Sequence, residues 1–117
     1  MPANYPAGRA TEFEAKRILE REGYQVMRAV SPAPFDLIAW KNSKEILCLV
    51  VRRSKAVSIS GYSGAVSELS ELIKEGRAPG KCQFWIRYPL IWKRFLILPG
   101  GALLLEEGKD ARDQICT

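Results

Sequence analysis

Residues 33–53 read APFDLIAWKNSKEILCLVVRR, and this stretch decides the fold. Two apolar runs, PFDLIAW and EILCLVVRR, flank the polar piece KNSK at 41–44, which predicts two strands joined by a turn. Side chains alternate across a strand, so Asp36, Ile38 and Trp40 fall on one face of the first run. By the same rule Ile46, Cys48, Val50 and Arg52 share one face of the second, and Asp36 is expected to converge with Val50 and Arg52. The unbroken apolar character of residues 46–51 marks a strand covered on both faces, hence the centre of a sheet. Arg52, Arg53 and Lys55 then place three cations where the chain leaves that strand.

Upstream, Thr11 followed by Glu14 fits a capping box, so a helix is expected to begin near Thr11. Ala15, Ile18 and Leu19 form its buried stripe and Gly23 ends it. On a helical wheel Glu12 lies about 20° from Leu19 and looks into the domain, whereas Glu14 points roughly opposite. The bland reading of Glu12 is a first-turn acid favoured by the helix dipole. Tyr24 to Val30 alternates and predicts a first strand, with Arg28 on the face of Tyr24 and Val26. The segment SPAP at 31–34 is a loop.

Downstream, SISGYSG at 58–64 is small and flexible enough for a loop over a site. A second helix is expected from about Ala65 to Lys74, with Val66, Leu69, Leu72 and Ile73 inward, Glu68 bordering that stripe, and Gly76 closing it. Cys82 to Tyr88 and Trp92 to Leu98 predict two more strands, in which aromatics alternate with cations. Leu103 to Leu105 is expected as a short last strand or a packed segment, and 106–117 as a polar tail. The order helix, three strands, helix, two strands predicts one α/β domain over residues 1–105, with a mixed five-stranded sheet flanked by helices.

Composition narrows the function classes. A chain of 117 residues, 47% hydrophobic, is long enough for one core and too short for two. No apolar run reaches the ~20 residues needed to cross a bilayer, and MPANYPAGRA lacks a signal-peptide pattern, so a cytoplasmic protein without membrane contact is expected. The absence of histidine excludes Ser/His and Cys/His catalysis and every His-ligated metal. Cys48, Cys82 and Cys116 are odd in number, widely spaced and without a CxxC pair, which excludes a disulfide framework and a zinc site. Asp36 is the single aspartate outside the tail, which carries Asp110 and Asp113. The net charge of +5 suits a polyanionic partner.

With these residues in view, the chain resembles the archaeal Holliday junction resolvases and, more broadly, the PD-(D/E)XK nucleases with their restriction-endonuclease-like core. The similarity runs from about Gly8 to Leu98. It is most specific in the spacing of Gly8, Glu12 and Gly23 and in Pro34-Phe35-Asp36, which stands for the PD pair with one residue inserted. The resemblance implies that Glu12 and Asp36 bind a divalent cation, Mg²⁺ or Mn²⁺, and that Arg28 and Ser31 lie near DNA. It also implies a two-fold homodimer that matches the symmetry of a junction.

The chain departs from the pattern at the E-x-K motif, which falls on Val50-Val51-Arg52. Valine ligates nothing, and magnesium wants several oxygens in near-octahedral geometry. Losing one negative charge a few ångströms from a divalent ion forfeits on the order of several kcal/mol even at an effective dielectric near 20. Arg52 cannot stand in for a neutral lysine, because its pKa stays above ~12, but it can hold a phosphate or pair with Asp36. Glu68 is the candidate for a relocated acid, and Glu45 a poorer one on the opposite face of its strand.

Three function classes follow. The first is a silent nuclease-fold protein that holds DNA, branched or not, through Arg28, Ser31, Arg52, Arg53 and Lys55, or pairs with an active paralogue. The second is a Mg²⁺-dependent endonuclease of branched DNA with Glu12, Asp36, Arg52 and Glu68 as its catalytic set. The third is a fold relic whose aromatic sheet serves dimerisation, with Asp36 and Arg52 as a structural ion pair. The first is preferred, because the loss strikes the two least replaceable positions of the motif. Nothing points to base-specific readout, since no helix presents outward arginine and asparagine pairs.

Overall fold

The residues quoted first form the middle of a single sheet. A computed structural model describes residues 7–30 and 32–108. Its elements in chain order are α1 (Ala7–Arg21), β1 (Gln25–Arg28), β2 (Leu37–Trp40), β3 (Ile46–Arg53), a 3₁₀ turn (Ile59–Tyr62), α2 (Ser63–Lys74), β4 (Lys81–Arg87), β5 (Trp92–Leu98) and β6 (Gly101–Gly108). The strands lie side by side in sequence order. Every neighbouring pair is antiparallel except β3 and β4, which run parallel because α2 carries the chain back across the sheet. The turn between β2 and β3 closes as an Asx turn, in which Asn42 Oδ1 accepts the amides of Lys44 at 2.8 Å and Glu45 at 3.0 Å.

Strand β3 explains its own apolar run. Leu47, Leu49 and Val51 pack with Ala15, Ile18 and Leu19 of α1 and with Trp85 and Trp92. Cys48 and Val50 face the other way, against Leu69 of α2 and Phe84, Ile86, Phe95 and Ile97. Both faces are covered, so no position between 47 and 51 is free to be polar. Cys48 and Cys82 are register neighbours across β3 and β4 and both are buried. The adjoining Cys82 side chain, helped by burial, pushes the Cys48 thiol up, so it stays neutral and packs as a small core residue.

Trp85 of β4 with Trp92 and Arg94 of β5 builds a layered interior on the α1 face, while Phe84 and Phe95 pack on the α2 face. Trp85 and Arg94 are register partners, and the guanidinium of Arg94 lies 4.1 Å from the Trp85 ring centroid. Arg94 Nη1 reaches Glu22 Oε2 at 3.0 Å, while Trp85 meets Trp92 edge-on at 5.6 Å. Trp85 and Trp92 are therefore core, and the alternation of aromatic and cation is a packing pattern.

Three expectations are corrected. Helix α1 begins at Ala7, so Thr11 sits inside it, fully buried, and its hydroxyl accepts from Arg53 Nη1 at 3.4 Å. Ala7 and Ala10 favour helix strongly and extend it past the expected cap, which leaves neither Thr11 as a cap nor Glu12 in a first turn. The sheet has six strands, where five were expected: β6 pairs with β5 from Leu98↔Gly101 to Trp92↔Gly108, with a bulge at Arg94/Phe95. Leu103, Leu104 and Leu105 are each about half exposed on this edge strand, so no in-out alternation announces it. The strand also continues past Leu105, into the stretch expected as tail. Residues 109–117, with Asp110, Asp113 and Cys116, lie outside the described residues, as does Ser31. Finally, β1 stops at Arg28, short of Val30. No helix among the described residues is long and apolar enough to cross a membrane.

Gly80 lies tight against the start of β3, since a Cβ there would press into the carbonyl of Ile46 and its side chain. Gly80→Ala is therefore expected to cost about 1–3 kcal/mol by overpacking, read as a lower urea midpoint at unchanged slope. An unchanged midpoint would contradict this packing of the β4 entry on β3.

Candidate functional site

The end of β3 is where the core stops and charge begins. Asp36 enters that end from the loop before β2 and is pinned by its backbone: its amide donates to Leu49 O at 2.8 Å and its carbonyl accepts from Ala29 N at 2.8 Å. Its Oδ2 accepts the amide of Val51 at 2.8 Å and Arg52 Nη1 at 2.9 Å. The same Nη1 donates to Val51 O at 2.8 Å, and the guanidinium lies 6.0 Å from the Phe84 ring. The pair is part-buried, with the Asp36 side chain 24% and that of Arg52 41% exposed. The expected juxtaposition of Asp36 and Arg52 is thus present. Val50 lies on the same face of β3, within the core against Phe84.

The other candidate acids make contacts of their own. Glu12 accepts from Arg28 Nε at 3.3 Å and lines a small recess with Arg9, Phe13, Lys16, Arg28 and Leu37. Each of the two acids expected to share a metal therefore faces an arginine of its own. Glu68 is exposed on α2, which packs against β5 and β6. Glu45 is exposed in the β2–β3 turn, where it accepts from Asn42 Nδ2 at 3.2 Å.

These residues do not fit a divalent cation. Magnesium needs several oxygens. Here one Asp36 oxygen already accepts from two donors, one of them a guanidinium, and Val50 offers no ligand atom. Among the described residues no group of three or more acids or cysteines is placed to hold a metal ion. A carboxylate and a main-chain carbonyl in this array hold Nη1 of the part-exposed Arg52 in a fixed position.

On the opposite face, Arg53 follows Val51 toward α1. Arg53 Nη1 lies 3.8 Å from Glu14 Oε2, and Arg87 Nε lies 3.4 Å from Glu14 Oε1. Arg87 also faces the Trp92 ring at 5.8 Å. Lys55 is exposed just beyond, after Ser54, whose Oγ accepts the amides of Ala56 and Val57 at 3.2 and 2.8 Å. Glu14 and Arg87 were missed by sequence reasoning. The wheel placed Glu14 away from the core, yet it reaches the end of the sheet rather than its middle. Arg87 becomes a site residue through the parallel register that sets it beside Arg53, and only the β3–β4 pairing reveals this.

No protein-family model matches the chain, and no curated protein matches it. Among solved structures it is similar to Hjc, a Holliday junction resolvase from the archaeal hyperthermophile Archaeoglobus fulgidus. The TM-score is 0.56 at 17% identity, over 92% of this chain and 98% of that one. At that identity the likeness is one of fold: an α/β resolvase-like architecture built on a mixed sheet.

The geometry at Asp36 orders two substitutions. Asp36→Asn keeps an acceptor for the Val51 amide and loses the charge opposite Arg52, a part-exposed pair, for at most about 1 kcal/mol. Asp36→Ala orphans the amide and is expected to cost about 1–3 kcal/mol. Urea unfolding reads both, and an alanine variant no less stable than the asparagine variant would contradict the structural role.

Proposed function

We propose that this is a nuclease-fold DNA-binding protein that holds DNA without metal-dependent cleavage. One observation carries the reading: the carboxylate that a nuclease would offer to a metal is bound instead to Arg52 at 2.9 Å, with Val50 beside it in place of the second acid. An arginine so oriented keeps donors for a phosphate, and planar guanidinium forks match phosphate oxygens well. Arg28, Arg53, Lys55 and Ser31 complete the expected contact set. Contacts of this kind are sequence-independent and salt-sensitive. The likeness to a Holliday junction resolvase supports DNA, branched DNA included, as the partner, and a two-fold homodimer, or pairing with an active paralogue, as the assembly.

Fluorescence anisotropy with a labelled four-way junction and a labelled duplex tests this. Binding is expected to weaken steeply with salt, and Arg52→Ala to lower affinity for both DNAs while reducing the salt slope by about one. Neither DNA is expected to be cut with Mg²⁺ or Mn²⁺ present. Cleavage abolished by Asp36→Asn would contradict the non-cutting reading, and its loss in Glu68→Gln as well would establish the relocated acid. Binding indifferent to salt, or no binding to either DNA, would contradict phosphate recognition.

A further inference from the structure

We propose that the α1 face of the same strand end forms a second phosphate seat, built by Arg53, Ser54, Lys55 and Arg87, in which Glu14 is an internal counter-ion that the phosphate displaces. The proposal rests on the DNA-binding reading and adds to it a specific contact and a means of tuning it.

The first observation is the register. Parallel pairing of β3 and β4 sets Arg53 directly beside Arg87. Like charges on neighbouring strand positions repel, so this placement calls for an anion. The second observation is that the anion supplied by the chain fits poorly. Glu14 spans the two arginines at 3.8 and 3.4 Å, beyond good hydrogen-bond length for a charged pair. Nε and Nη1 of Arg87 are buried without any hydrogen-bond acceptor. A buried donor left unmade is costly, and a group with more oxygens would satisfy it.

The third observation is room and charge. An open recess of about 410 Å³ is lined by Arg53, Ser54, Lys55, Arg87 and Pro89, large enough for a phosphate carried on a chain. Three cations against the single carboxylate of Glu14 leave a surplus of positive charge there. The floor is held in place: Ser54 N donates to Arg87 O at 3.0 Å and the Arg87 guanidinium leans on Trp92. Glu14, by contrast, has a side chain 43% exposed on a helix surface and can turn into solvent. Arg52 stands on the other face, so the two seats would grip two phosphates on either side of the sheet end. Inorganic phosphate and a DNA backbone share this chemistry, and the experiment separates them.

The test compares wild type, Glu14→Gln and Lys55→Gln in DNA binding by anisotropy. Removing the counter-ion is expected to tighten binding about two- to fivefold, and removing Lys55 to weaken it by a similar factor. Lys55→Gln should also make the salt slope shallower by about one. Both side chains are substantially exposed, so these variants are expected to fold; Arg87→Lys, checked by its urea midpoint, serves as a third. DNA binding by wild type that Arg52→Ala weakens but neither exposed-site variant alters would overturn the seat and leave DNA binding through Arg52 standing. Should wild type bind no DNA, the DNA-binding reading fails, and inorganic phosphate titrated against the arginine side-chain NMR signals decides the seat. Shifts confined to Arg53 and Arg87, larger in Glu14→Gln, would establish it for free phosphate; no shift would overturn it.

Discussion

Burial of strand β3 on both faces is the constraint from which the rest of the molecule follows. Residues 47–51 are enclosed by α1 on one side and α2 on the other, and a double-faced strand has no tolerance for charge until it leaves the core. It leaves at Arg52, and alternation then sends Arg52 to one face and Arg53 to the other. Charge on this strand is confined to that end because the sheet covers both faces of the residues before it.

The arginines at that end are met by acids from other elements. Asp36 from the β2 approach takes Arg52, and Glu14 from α1 lies between Arg53 and Arg87. Nearby, Glu12 takes Arg28, and just past the far end of α1 Glu22 takes Arg94. Such pairs contribute little stability individually where they are exposed. Their geometric effect is to hold guanidinium groups in fixed directions. At this strand end the carboxylates of Asp36, Glu12 and Glu14 are each engaged by arginines.

Much of this was legible in the sequence, and the reasons are local. The α/β class followed from the order of periodic segments, and the meeting of Asp36 with Arg52 from strand alternation across a short Asn42-centred turn. Helix α1 was begun too late because Thr11-x-x-Glu14 imitates a capping box while both residues are drawn to arginines on the sheet. Strand β6 was underestimated because an edge strand with Leu103, Leu104 and Leu105 all half exposed has no period to detect. The Arg53–Arg87 pairing was illegible for a different reason: it depends on which strand lies beside β3, a property of the whole sheet that no single window contains.

The central claim is that Asp36 serves an arginine rather than a metal ion. Calorimetric titration of Mn²⁺ into the wild-type protein, beside Asp36→Asn, tests it most directly. The account predicts the same weak, unsaturating heats for both proteins. Saturable binding near one ion per chain that disappears in the variant would contradict it, and would mean that Arg52 yields its place to a metal.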